Sequence, residues 1–269
     1  RRYVETYKDQ IGSKFMMKTI KYYSVATMLF VVLGCKQELI GDMKLKEAFA
    51  PEVVEFVDAV LKDDFQKADE ILQGNVNINA IGKDGITPLL WLLAEEHAKD
   101  LEAVEFMLKQ GADPNYIDPN RQVSAMYFAS GGNKPEFLEL LIKYGGDVNQ
   151  IAKDDKSMLM VASSQGRIEN INMLVNHGAD MSWKNRFDES AASICLIQGR
   201  FDLTVFFLEK GFNGDLDALA SYVEGIVAND EMQTYKEKAI DMLRDKKVKF
   251  PASLALQQYL EKNSVSEEK

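Results

Sequence analysis

Apolar and polar positions along the chain repeat with a period of about 33 residues. Each period has a short apolar stretch that opens with Ser or Thr, then a second apolar stretch, then a glycine. The openings are Thr87, Ser124, Ser157 and Ser190, and the glycines are Gly111, Gly145, Gly178 and Gly211. Ser or Thr can cap a helix N-terminus, and glycine supplies the left-handed residue that ends a helix. The pattern therefore predicts two short helices in each period.

The glycine always lies within the same short phrase. The phrase reads KQGADPN at 109–115, KYGGDVN at 143–149, NHGADMS at 176–182 and, in an eroded form, EKGFNGD at 209–215. A fainter copy, QGNVNIN, lies at 73–79, with Asn75 in place of the glycine. Self-similarity at this period indicates stacked units, because one unit alone cannot bury its apolar face. We predict an elongated all-α solenoid of about five repeats with helical caps and short hairpin-like loops.

The repeated phrases resemble those of ankyrin repeats, and the resemblance covers residues 51–215. It is best at 154–186, where Ser157 and Leu159 match the Thr and Leu of the family's Thr-Pro-Leu-His start. Further matches at the family spacing are Ala162, Gly166, Ile168, Leu174, Gly178, Ala179 and Asp180. The helical spacing predicts that the second helix of this unit has an apolar face of Ile168, Ile171, Leu174 and Val175. The resemblance implies an ankyrin-repeat solenoid whose hairpin tips and first helices line the usual protein-binding face.

The regions outside the repeats divide the chain further. We assign upstream residues and a signal peptide to 1–34, a tether without a firm apolar face to 35–50, the repeats to 51–215, and a C-terminal helical cap and tail to 216–269. Within the last region the pattern predicts helices at 216–228 and 231–246, and a final helix from Pro251 through Leu260.

The N-terminal region contains a pattern typical of export. From Met17 the chain has Lys18 and Lys21, then an apolar run over 25–33, and then Cys35. This order resembles a bacterial lipoprotein signal peptide, and the resemblance implies that Cys35 is lipidated after cleavage. Lys36 stands where an inner-membrane retention signal has aspartate, and by the same resemblance this favours outer-membrane sorting and a periplasmic face. An ordinary secretory signal, or a short anchor with an incidental cysteine, is the alternative. We expect residues 1–16 to lie upstream of the start.

Charge and hydropathy limit the class of protein. The mean hydropathy of −0.23 excludes a polytopic membrane protein. The chain has a formal net charge of −10, and removal of residues 1–34, whose net charge is +4, would leave −14. A strongly acidic surface argues against binding to nucleic acid, whose phosphates it repels. It is compatible with a basic protein partner, whose approach the field would accelerate. Solubility alone is the alternative explanation.

Residues that could carry chemistry are scattered. The two histidines, His97 and His177, are 80 residues apart, and neither has the spacing of a triad or a zinc site. Cys195 has no histidine near it in sequence, so we expect a thiol packed in the core and no nucleophile. The sequence therefore predicts a protein that is not an enzyme and uses no cofactor or metal.

The hairpin tips are polar and differ from copy to copy, which is typical of a recognition surface. The tips are residues 81–84, 118–122, 154–156 and 186–188. Since Trp, Tyr and Arg dominate binding hot spots, we take as candidate partner-binding residues Lys83, Asp84, Trp91, Tyr116, Arg121, Tyr127, Asp154, Lys156, Trp183, Arg186 and Asp188. For Trp91 and Phe128 the alternative is packing between first helices. For Tyr116 and Trp183, at the hairpin starts, the alternative to recognition is burial.

The combination of these features resembles one functional group of bacterial proteins. A lipoprotein signal, an ankyrin array and the segment TPLLWLL at 87–93 resemble immunity lipoproteins paired with type VI secretion phospholipases. The resemblance implies that the protein neutralises a secreted phospholipase effector by covering its active-site mouth or membrane-docking surface. A periplasmic ankyrin scaffold that supports an enzyme such as a catalase is the alternative. A hydrolase decorated with ankyrin repeats is a third hypothesis, disfavoured by the missing catalytic residues.

Overall fold

A computed structural model describes residues 44–94 and 101–250. Three of the regions discussed above lie outside these residues. They are the export pattern with Cys35, the segment that contains His97, and the predicted helix from Pro251 to Leu260.

The described part is built from consecutive pairs of helices. A short helix, α1 (Leu45–Ala48), precedes them. The pairs are α2 (Pro51–Val60) with α3 (Phe65–Gln73), α4 (Pro88–Leu93) with α5 (Leu101–Lys109), α6 (Ala125–Gly131) with α7 (Pro135–Lys143), α8 (Met158–Ser164) with α9 (Ile168–Asn176), α10 (Ala191–Ile197) with α11 (Phe201–Glu209), and α12 (Leu216–Gly225) with α13 (Gln233–Asp245). Two short antiparallel strands, β1 (Ile151–Ala152) and β2 (Lys156–Ser157), pair Ile151 with Ser157.

The helix pairs stack side by side. First helices pack on one another in the order α4, α6, α8, α10 and α12. Second helices α5, α7 and α9 pack in the same order, and α13 packs on α11. The prediction of an all-α solenoid is confirmed, and the pair α12 and α13 extends the stack beyond residue 215.

Local residue choices begin and end these helices as predicted. Each first helix from α4 to α10 has its Ser or Thr hydroxyl accepting the N–H of the residue three positions later, in the pairs Thr87 with Leu90, Ser124 with Tyr127, Ser157 with Met160 and Ser190 with Ser193. The glycines that follow α5, α7, α9 and α11 all have a φ near +90°. Asn75 adopts the same left-handed region with φ of 66°. These positions require left-handed backbone, which most side chains disfavour.

The buried face of α9 differs from the predicted one at one end. Ile171 and Leu174 are fully buried, but Ile168 is 45% exposed. Ile168 is the first residue of α9, at the turn that joins the two helices of the pair. The prediction that Ile168 belongs to the buried face is therefore wrong, because the first turn of α9 is exposed at both Ile168 and Glu169.

The repeated Asn after each glycine phrase links neighbouring repeats. The side-chain amides of Asn79, Asn115 and Asn149 donate to the carbonyl oxygens of Gly111, Gly145 and Gly178 at 2.9, 2.9 and 3.2 Å. Their amide oxygens accept the backbone N–H groups of Asp113, Asp147 and Asp180 at 2.7–2.8 Å. We call this series the Asn ladder. It ends at Ser182, whose hydroxyl instead donates to Asp180.

The folded part begins earlier than the predicted boundary at Pro51. Leu45, Ala48 and Phe49 are buried, and α1 packs on α2. Gly82 lies so close to this segment that a Cβ there would clash with the Ala48 carbonyl oxygen and the Phe49 ring. The interpretation of the whole of residues 35–50 as a tether is therefore wrong for residues 44–50, whose apolar side chains cover the N-terminal end of the stack.

Candidate functional site

Four hairpins project between the second helix of one pair and the first helix of the next. We call them hairpin A (residues 80–86), hairpin B (116–123), hairpin C (150–156) and hairpin D (183–189). Each is closed by a backbone hydrogen bond or strand pair, such as Gly82 N–H to the Ile86 carbonyl at 2.8 Å and Asn185 N–H to the Glu189 carbonyl at 3.0 Å. The chain reverses through left-handed residues, which are Asp84, Gln122, Asp154, Asp155 and Asp188 besides Gly85. Asp fits these positions because its short polar side chain tolerates left-handed backbone.

Two predicted anchor residues donate hydrogen bonds to the preceding hairpin. Tyr116 links hairpin B to hairpin A, and Trp183 links hairpin D to hairpin C. The Tyr116 hydroxyl donates to the Gly85 carbonyl at 2.8 Å, and the Trp183 indole N–H donates to the Asp155 carbonyl at 2.8 Å. The two acceptors are equivalent, since each lies two residues before a capping Thr or Ser. Tyr116 is half-buried, and this burial raises the pKa of its hydroxyl. Trp183 keeps 37% of its surface exposed, so its ring remains accessible to a partner.

Charged tip residues also pair between neighbouring hairpins. Asp118 is completely buried, and its carboxylate accepts from the Arg121 guanidinium at 2.9 Å. Arg121 also donates to the Asp84 carbonyl at 3.2 Å, which links hairpin B to hairpin A. Lys83 and the Asp84 side chain are exposed at the tip of hairpin A. The predicted residues Asp84 and Arg121 therefore lie together.

Hairpins C and D are linked in the same manner. The Arg186 guanidinium lies 3.4 Å from the Asp154 carboxylate and 3.2 Å from that of Asp155. Lys184 lies 2.9 Å from the carboxylates of both Asp188 and Asp215, and these two hydrogen bonds raise the pKa of its ammonium group. Lys156 is half-buried in β2. Of the predicted residues here, Asp154, Trp183, Arg186 and Asp188 line adjacent hairpins.

Most side chains of the first helices are buried, and one predicted anchor is among them. None of α4, α6, α8 and α10 contains a charged residue. Trp91 is only 6% exposed in α4, so it packs in the core as the alternative interpretation proposed and is withdrawn from the anchor set. Tyr127 and Phe128 are half-buried on α6, with their rings edge to face at 5.7 Å. Tyr127 thus lies on a helix, apart from the hairpin tips.

Sequence reasoning missed the most exposed aromatic residue of the hairpins. Phe187, in hairpin D, is 64% exposed, and the Arg186 guanidinium lies 6.0 Å from its ring centre. We call Trp183, Arg186 and Phe187 the aromatic cluster. The sequence did contain a signal, because Phe187 is a large apolar residue between Arg186 and Asp188 in a hairpin tip, where it is not expected to be buried. Trp, Arg and aromatic residues of this kind dominate the energetics of protein interfaces.

Comparison with known proteins agrees with this geometry. A family model described as ankyrin repeats matches residues 90–185 in three copies. The chain contains ankyrin repeats. A search of curated proteins found no match. Ankyrin repeats mediate binding to protein partners, so the matched repeats indicate a protein–protein interaction module.

Within 44–94 and 101–250 no group of three His, Cys, Asp or Glu side chains could hold a metal ion. Across these ranges no helix combines the length and the apolar character needed to cross a membrane. His177 ends α9 with its Nδ1 2.9 Å from the Met173 carbonyl oxygen, a contact within its own helix.

Cys195 is fully buried in α10, as expected, and this burial raises the pKa of its thiol to about 12. Because the thiolate is the reactive form, folded protein at pH 8 should not react with iodoacetamide at Cys195, whereas protein unfolded in urea should react fully. The neutral thiol stabilises the fold below the unfolded pKa of about 8.5, and that contribution is lost as the pH rises towards 12. Mass spectrometry of a Cys35→Ser variant, in which Cys195 is the only cysteine, measures the reaction. Rapid labelling of the folded variant would contradict the described burial.

Proposed function

We propose that this ankyrin-repeat protein is a lipid-anchored periplasmic immunity protein that binds and neutralises a secreted phospholipase. The exposed aromatic cluster of hairpin D supports the binding role. The pattern of basic residues, apolar run and Cys35 supports export and a lipid anchor at Cys35. Lys36, in place of an aspartate after that cysteine, supports the outer membrane as the site of the anchor.

The arrangement of the hairpins favours tight binding to a large partner. Hairpins A to D are joined by the Asn ladder, by Tyr116 and Trp183, and by the contacts of Arg121 and Arg186. A surface held rigid before binding loses little conformational entropy when the partner arrives. Several hairpins together would cover a broad surface of the partner, and this would separate a lipase from its lipid substrate.

The charge of the chain supports a partner with a basic surface. The net charge of −10 accelerates the encounter with a positively charged protein. An enzyme that acts on anionic membranes fits this requirement, since a basic surface draws it to phospholipid headgroups.

The test is survival of cells that produce a candidate effector in the periplasm. Phospholipase-like proteins encoded beside this gene are expressed with the wild-type protein, with a Cys35→Ser variant, or with neither. We expect the wild-type protein to restore growth, and the variant, released from the membrane into the soluble fraction, to protect less. Equal killing with and without the protein, for every neighbour tried, would contradict the immunity role. Loss of a periplasmic catalase activity on deletion of the gene would favour the scaffold instead.

A further inference from the structure

Three isoleucines occupy the same position in three successive hairpins. Ile81, Ile117 and Ile151 each lie two residues after an Asn of the ladder. Ile81 is 67% exposed, Ile117 is 38% exposed and Ile151 is half-buried. The equivalent residue of hairpin D is Lys184, so this isoleucine row ends where the Asn ladder ends. An ordered series of exposed apolar side chains marks a contact surface more often than single exposed residues do.

The spacing of the row is fixed by contacts between the hairpins. The Asn120 amide donates to the Asp84 carbonyl at 2.7 Å, which joins hairpins A and B. Lys153 N–H donates to the Gln122 carbonyl at 2.8 Å, which joins hairpins B and C. The first helices that follow these hairpins, α4, α6 and α8, pack directly on one another. Since packed helices lie about 8–10 Å apart, the isoleucines are expected at steps of about that length.

This step matches an α-helix better than an extended strand. A helix rises about 1.5 Å per residue, so every seventh residue returns to the same face about 10.5 Å further along. In a strand, residues on one face are about 6.6 Å or about 13 Å apart, because successive side chains alternate. An α-helix with an apolar side chain at every seventh position can therefore contact all three isoleucines.

Carboxylates repeat at the same step before hairpins B, C and D, so Ile117 and Ile151 each have one four positions earlier, whereas Ile81 has Asn77 there. Asp113, Asp147 and Asp180 are exposed, and each accepts the backbone N–H two residues later at 2.8 Å through one oxygen. In the part of the chain that the structure describes, none of the three belongs to an ion pair. A partner helix would complement these negative charges if it carried Lys or Arg at every seventh position.

We infer that the isoleucine row binds an amphipathic, basic α-helix of the protein partner, with apolar residues every seven positions and Lys or Arg beside them. The inference rests on the proposed protein-binding function and names the element of the partner that is recognised. It assigns to hairpins A to C a role separate from that of the aromatic cluster in hairpin D.

The test uses a synthetic helical peptide of about three heptads, with Leu at every seventh position, Lys beside it and Ala elsewhere. We expect the peptide to bind the wild-type protein and to lose at least about tenfold in affinity for Ile117→Lys and for Ile81→Lys, measured by fluorescence anisotropy. The matched control is Ile168→Lys, since Ile168 is 45% exposed on α9 and outside the row. A peptide of the same composition in scrambled order should bind at least tenfold more weakly. Circular dichroism confirms that each variant is folded.

Several results would overturn the inference. They are absence of peptide binding, equal binding of the scrambled peptide, and equal affinity for wild type and both row variants. Binding to phosphatidylcholine vesicles, or formation of a dimer, that Ile117→Lys abolishes would assign the row to lipid or to a second copy.

Binding of the proposed phospholipase distinguishes the inference about the isoleucine row from the proposed function. If it binds wild-type protein and Ile117→Lys equally, the inference about the row is wrong and the proposed function stands. If no phospholipase binds while the peptide binds through Ile117, the proposed function is wrong and the inference stands.

Discussion

Replacement of Leu174 by Ala is expected to lower the free energy of unfolding by about 2–5 kcal/mol. Leu174 is fully buried in α9, which packs against both α8 and α7. The lost methyl groups leave a cavity between repeats that the surrounding side chains fill only in part. In a stack, stability is the sum of repeat and interface contributions, so weakening one interface should uncouple the C-terminal repeats. Urea unfolding followed by circular dichroism should then show two transitions.

The matched control lies in the same helix. Ile168→Ala also truncates an aliphatic residue, but Ile168 is 45% exposed. We expect this variant to change the free energy of unfolding by no more than about 0.5 kcal/mol. An unfolding curve of Leu174→Ala that superimposes on the wild-type curve would show that α9 does not bury its face as described.

If the partner is the proposed phospholipase, replacement of Phe187 by Ala is expected to weaken binding to it by about 2 kcal/mol or more, a loss of roughly 30-fold in affinity. Phe187 exposes 64% of its surface, so truncation removes little buried area from the free protein. The melting temperature should therefore remain that of the wild type. Isothermal titration calorimetry measures the affinity, and differential scanning calorimetry measures the melting temperature.

Val227→Ala is the control for this variant, because Val227 is also apolar, is 79% exposed and lies outside the hairpins. If Phe187→Ala is folded and binds with unchanged affinity, Phe187 of hairpin D does not contribute to the binding surface. Trp183 and Arg186 are less suitable for this purpose. Both join hairpin D to hairpin C, so their substitution would change the position of the hairpin as well as the contact with the partner.

The sequence was sufficient for features that arise within one repeat. A helix start depends on a hydroxyl three residues before a backbone N–H, and Ser124 and Ser157 supply it as predicted. A helix end depends on backbone conformation at one residue, and Gly145 and Gly178 adopt the predicted left-handed form. Burial of Cys195 followed from its place in an apolar first helix. These are local effects, so a pattern read along the chain captures them.

Contacts between repeats were decided only by the tertiary structure. The sequence alone did not place Trp91 in the core, expose Ile168, or show that Tyr116 and Trp183 donate to carbonyls of the preceding hairpin. The Asn ladder likewise joins residues about 30 positions apart along the chain. The physical reason is that a repeat's pattern specifies its own helices, whereas the exposure of a side chain and its hydrogen-bond partner depend on the neighbouring repeat stacked against it.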